Sequence, residues 1–161
     1  MTRWLKWDPA DKDALFELAI ALKAGENHLR DLMDWLDEIA LRDQCTVHEI
    51  LAQRPIADIQ SDPRLGRADK LKRLKEQIRR LRFPRLSEIE DSIRARIREL
   101  RLPPAVRMTT PPGLEGGYLH VEFSASTTEE LRNFAAQLAE VAGEGSMKEI
   151  FRMLAGHGAE S

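Results

Sequence analysis

The chain has 161 residues, 42% of them hydrophobic and 32% charged, with one cysteine and a formal net charge of −2. That apolar share can fill the core of one domain or of two small lobes, while no apolar run reaches the roughly 20 residues of a membrane span. A lone cysteine excludes an intramolecular disulfide and fits a reducing compartment, and the opening MTRWLKWDPADKD has no signal-peptide apolar run. The expectation is a soluble, cytoplasmic protein.

The small net charge conceals a segregation along the chain. Residues 1–62 carry 7 basic and 13 acidic side chains, residues 63–107 carry 15 basic and 6 acidic, and residues 108–161 carry 3 basic and 8 acidic. A partner meets the local field rather than the sum.

In chain order, Asp8-Pro9 predicts a helix start, with proline at the first helical position, and Leu15, Leu18, Ala19 and Leu22 follow at helical spacing. Ala24-Gly25 ends that helix. Asn27 then caps a second one, whose buried stripe is Leu29, Leu32, Met33, Leu36, Ile39 and Ala40. Thr46-Val47-His48-Glu49 has the form of a capping box, in which the Thr hydroxyl and the Glu carboxylate each satisfy a free backbone amide. It opens a short helix that must stop near Arg54, because proline disfavours helix in the residue before it. Ile56 and Ile59 read as a loop or single turn.

Asp62-Pro63 and Gly66 lead into the basic stretch. Its first helix buries Leu71, Leu74, Ile78 and Leu81. Phe83-Pro84 makes the turn, and Ser87-Glu88-Ile89-Glu90, a second box, starts a helix burying Ile89, Ile93, Ile97 and Leu100. Pro103-Pro104 stops it. Ala105–Thr110 and Tyr118–Ser126 read as strands of a β-hairpin, the second with Leu119, Val121 and Phe123 alternating against His120, Glu122 and Ser124. Thr127-Thr128-Glu129-Glu130 is a third box, before a helix with Leu131, Phe134, Ala135, Leu138 and Val141. Ser146-Met147-Lys148-Glu149 is a fourth, before a short last helix, and Gly156-His157-Gly158 begins a frayed tail. The fold class is therefore α+β and mostly helical. An acidic helical part (1–62) precedes a central antiparallel αα-hairpin (63–104) and a β-hairpin followed by one or two helices (105–161), within one cooperative domain or two lobes.

On the basic helices a second stripe lies beside the apolar one. Lys72, Lys75, Arg79 and Arg82 each follow a buried residue of the first helix, and Arg94, Arg98 and Arg101 do the same on the second. If the two apolar stripes face one another across an antiparallel hairpin, both basic stripes fall on one surface at about 100° per residue. Seven cations on one face suit phosphate, where each contact releases a counterion and arginine binds in bidentate fashion. The first functional reading is a non-enzymatic module contacting the backbone of DNA or RNA. The alternative is a protein–protein adaptor or assembly protein whose basic face meets an acidic protein surface or a second subunit. A charge run is also often a solvated helix face.

No catalytic, metal or cofactor motif stands out. His28, His48, His120 and His157 are scattered, and Cys45 has no CxxC partner. Cys45 reads as a small packed residue. Gly113, Gly116 and Gly117 precede a strand and no Lys-Ser/Thr, so they form no phosphate loop. Asp31, Asp34, Asp37 and Glu38 read as a solvated acidic face, and Trp4, Trp7 and Trp35 as packing anchors. A two-stranded sheet alone is marginal, so either the helix over Thr128–Ala142 covers it or its edge pairs with a second copy. A homodimer through that edge is the expectation.

Overall fold

The computed structural model describes residues 4–158, with side chains for residues 5–156. The chain divides into two compact units, Met1–Pro84 and Arg85–Ser161. Each has its own apolar core. The mostly helical α+β class expected from the sequence is what forms, and the division falls inside the basic stretch.

The N-terminal unit opens with a single 3-10 turn, Trp4–Lys6, followed by α1 (Pro9–Leu22), α2 (Glu26–Asp43), α3 (Val47–Leu51), α4 (Arg54–Ser61) and α5 (Arg67–Arg82). Pro9 occupies the first turn of α1 as expected, with its missing amide costing nothing there. The helix closes on Lys23, which takes a left-handed conformation (φ 49°) and leads amides back to the carbonyls of Ala19 and Ile20. Gly25 rather than Asn27 is the N-cap of α2, so Asn27 lies inside that helix. The box at Thr46 is complete: Thr46 Oγ1 accepts from the Glu49 amide at 3.1 Å, and Glu49 Oε2 accepts from the Thr46 amide at 2.8 Å.

The short helix α3 stops before Pro55 as expected, but Ile56 and Ile59, expected in a loop or single turn, belong to α4, where Pro55 sits in the first turn. The core of this unit is built from Leu15, Leu18 and Leu22 of α1, Leu32, Leu36 and Ile39 of α2, Ile50 of α3, Ile56 of α4, and Leu74 and Ile78 of α5. Every expected apolar stripe in this unit contributes to it.

The C-terminal unit begins with α6 (Pro84–Glu99), whose first residue closes the preceding unit. Strands β1 (Val106–Thr109) and β2 (His120–Phe123) follow, then α7 (Thr128–Ala142) and α8 (Gly145–Gly158). The strands pair antiparallel, Val106 with Phe123 and Met108 with Val121. The connection between them turns on Gly113 (φ 67°), Leu114 (φ 58°) and, beyond extended Glu115, Gly116 (φ 77°), all three left-handed. Leu114 takes this conformation, unfavourable for a side chain, while burying itself to 1% exposure. The core joins Ile93 of α6, Leu100 just past its end, Met108, Leu114, Val141 of α7, and Met147, Ile150 and Leu154 of α8.

Three of the four expected boxes take another form. Pro84 starts α6, so Ser87 lies within the helix, 4% exposed, and its hydroxyl has no hydrogen-bond partner. Thr127 Oγ1 does accept from the Glu130 amide at 3.1 Å, but the Glu130 carboxylate takes the Ser126 amide at 2.7 Å instead of that of Thr127. Ser146 is already helical, one residue after the start of α8. The last helix is also longer than expected, running through His157 to Gly158. Residues 159–161 of the expected tail, and the side chains of Trp4 and His157, lie outside what is described.

Candidate interaction surfaces

The first surface is the basic stripe. Its two helices form, joined at Phe83, but each buries its apolar stripe in a different core: Leu71, Leu74, Ile78 and Leu81 in the N-terminal one, Ile89, Ile93, Ile97 and Leu100 in the C-terminal one. The expectation that the two stripes face one another is thus replaced, and with it the geometric reason for placing seven cations on one face. Lys72, Lys75, Arg79 and Arg82 belong to one unit, Arg94, Arg98 and Arg101 to the other.

On α5 the stripe runs along acidic α2. Lys75 Nζ meets Asp31 Oδ2 at 2.7 Å and lies 3.2 Å from His28 Nδ1, while the Arg82 guanidinium grips both oxygens of Glu38 at 2.5 and 2.9 Å. Position 31 pairs with 75 and 38 with 82, so the two helices run in the same direction with matching seven-residue steps. Between these pairs the ring of Trp35 takes Lys75 at 5.2 Å and Arg82 at 5.8 Å from its centre, within cation–π range. Arg42 of α2 donates to the carbonyls of Leu81 and Arg82, both at 2.9 Å, satisfying acceptors that the end of α5 leaves open. Its guanidinium also binds Asp43 in bidentate fashion, which holds the Asp43 carboxyl below the usual range and raises the arginine.

The remaining cations differ. Arg79 bonds Glu76 on its own helix, and Arg94 lies 3.3 Å from Asp91 and 3.9 Å from Glu90. Lys72, Arg98 and Arg101 are exposed and make no ion pair among the described residues. Arg101 sits past the end of α6 in a left-handed turn (φ 47°). The stripe is therefore part internal, part locally balanced and part open. The acidic side chains read as a solvated face are also engaged: Asp31 and Glu38 with α5, and Asp37 as acceptor from Trp7 Nε1 at 2.9 Å.

The second surface lies wholly in the C-terminal unit, and sequence reasoning did not find it. The sheet turns Met108, Leu119 and Val121 toward α7 and α8, whose Leu138, Met147 and Phe151 stand opposite. Packing closes the base, where Met108 and Met147 are buried, and leaves an open groove of about 640 Å³ above. Val121 is 38% and Phe151 50% exposed at its mouth. Among the described residues, the charged ones lining it are Lys148 and Arg152, one helical turn apart on α8. Neither makes an ion pair among the described residues, whereas Arg96 of α6 is bound by Glu99 at 2.9 Å and by Glu149 of α8 at 2.8 Å. Alternation in β2 was a signal for this apolar face. Its incomplete cover depends on how three elements meet.

A cleft of about 470 Å³ in the N-terminal unit, bordered by Leu18, Leu51 and His48, mixes Glu17 with Arg67 and Lys70 and so has no single sign of charge. Lys70 there already donates to the Gln60 carbonyl at 2.7 Å. Cys45 is half-buried, and burial raises its thiol pKa, with Asp43 and Glu49 adding to the effect. That direction disfavours a reactive thiolate. Among the described residues, no cluster of His, Cys, Asp and Glu is arranged to hold a metal ion, and no helix is long and apolar enough to cross a membrane. Comparison with protein-family models, with curated proteins and with solved structures returns no match.

Proposed function

We propose that this protein acts by binding another protein, as an adaptor or assembly component, and performs no chemistry of its own. The observation carrying this reading is the open apolar surface of the C-terminal unit, with Val121 and Phe151 exposed beside a sheet that has two strands among the described residues. Apolar side chains exposed side by side between a sheet and two helices can serve as an interaction site, although such area becomes diagnostic only at larger extent. The phosphate-binding reading is weakened by the engagement of Lys75 and Arg82 with Asp31, Glu38 and Trp35, which takes two of the seven cations into the packing of the N-terminal unit.

The two readings part in one pair of measurements. Fluorescence anisotropy with a labelled duplex and a labelled single strand, across a salt series, is expected to show only weak, non-specific binding. Tight, salt-steep binding that disappears when Lys72, Arg98 and Arg101 are changed to Glu would return the function to nucleic acid. Quantitative affinity purification from the cells that make the protein, comparing wild type with Val121→Asp, is expected to show at least one protein retained by the first and lost from the second.

A further inference from the structure

The groove over the β-hairpin has a chemistry that selects its occupant. Its walls are aliphatic, aromatic and thioether: Leu119 just before β2 and Val121 on it, Leu138 on α7, Phe151 on α8, with Met108 and Met147 beneath. Methionine side chains adapt to different apolar shapes and are favoured in grooves that take helices. It is an open groove of about 640 Å³, shaped to lie against a partner rather than to enclose a small ligand.

The charge on the rim is the second element. The C-terminal unit carries 9 basic and 12 acidic side chains. A groove lined at random on it would carry both signs of charge. Among the described residues its charged lining is Lys148 and Arg152, both exposed. The neighbouring carboxylate Glu149 points elsewhere, held by Arg96. Cations that make no ion pair among the described residues, standing beside an apolar channel, are complementary to an apolar segment with carboxylates along its flank. Because the two cations stand one turn apart on α8, they match acidic residues one turn apart on a facing helix. The groove lies over the face of the sheet, between it and two helices, and not along a strand edge where an added strand would pair.

We infer that this groove receives an amphipathic helix of a partner protein, apolar on the side that enters and acidic along the flank facing Lys148 and Arg152. The inference rests on the protein-binding reading above and gives it a site and a partner chemistry.

The test uses the full chain and end-blocked, fluorescein-labelled peptides of about 18 residues, long enough to be helical. One carries leucines at helical spacing with glutamates elsewhere, one has every glutamate replaced by lysine, and one has every leucine replaced by serine. Anisotropy is expected to give micromolar binding for the acidic leucine peptide that weakens with salt, and binding at least roughly tenfold weaker for the other two. The double variant Lys148→Glu, Arg152→Glu changes only exposed side chains, and Phe151→Asp changes the mouth of the groove. Each is expected to weaken the acidic peptide by roughly tenfold or more, with far-UV circular dichroism unchanged. The proposal is overturned by no binding, by equal binding of the acidic and basic peptides, or by undiminished binding to both variants. It is equally overturned if sedimentation shows a dimer that Phe151→Asp dissolves, since a second copy then fills the groove. Failure of the peptides while the Val121→Asp purification difference persists removes this occupant and leaves the protein-binding reading standing; loss of that difference removes the reading itself.

Discussion

Single residues carry several of the structure's sharpest consequences. The Ser87 hydroxyl is buried inside α6 with no partner. A buried donor left unsatisfied costs more than its absence, and alanine is the better helix former, so Ser87→Ala should stabilise the protein by about 1 kcal/mol. A chemical-denaturation midpoint that falls in this variant would show that the hydroxyl is held by a bond after all. Gly117 has φ +60°, and a Cβ there would stand 3.3 Å from the Leu154 carbonyl oxygen of α8. Gly117→Ala should therefore lose about 1–3 kcal/mol, from backbone strain together with a shift of α8, visible as a lower Tm. Asp62 receives hydrogen bonds from the side chain and amide of Arg64, which bring its pKa down to about 2. A carboxyl depressed in the folded state stabilises it above the unfolded pKa of about 4, and that contribution is lost as pH falls from there through about 2. Carboxyl-detected NMR titration should find the low midpoint in the wild type and a normal one in Arg64→Ala.

At the scale of elements, the parallel packing of α2 and α5 combines buried Leu32, Leu36, Leu74 and Ile78 with the ladder outside them. The two parts differ in weight. Ile78→Ala should cost about 2–5 kcal/mol, whereas coupling between Asp31 and Lys75, measured by a double-mutant cycle, should stay within about 0–1 kcal/mol because the pair is only partly shielded from water. A coupling well above that range would mean that the Trp35 ring raises the pair's strength. The stripes behind this packing were legible in the sequence, since spacing of three and four residues fixes which face is buried wherever a helix forms. The helix starts were less so. At Pro9 proline was read as a first-turn residue, and the same reading of Pro84 and Pro55 would have moved the start of α6 ahead of Ser87 and turned the Ile56 segment into a helix. Serine or threonine followed three residues later by glutamate recurs by chance in a charged sequence, and only at Thr46 does the backbone make both bonds. The groove was legible only as an apolar face on β2, because its opening is set by the distance between elements and not by any one of them.

For the whole molecule, the charge segregation of the sequence is largely cancelled by folding. Acidic α2 and basic α5 lie in one unit, which carries 16 basic and 15 acidic side chains. The sequence supplied the charges but not the place where the chain divides, and an apolar stripe does not say which core it will enter. The division also sorts the chromophores. All three tryptophans, at positions 4, 7 and 35, fall in the N-terminal unit, and the single tyrosine, Tyr118, falls in the other. Tryptophan emission is thus a private reporter of one unit, while far-UV circular dichroism sums over both. With separate cores, Ile150→Ala should lower the dichroism midpoint and leave the emission midpoint in place, and Leu32→Ala should move the emission. Coincident shifts of both signals in both variants would mean that the two halves melt as one. The chain carries its own built-in optical label for watching one half unfold without the other.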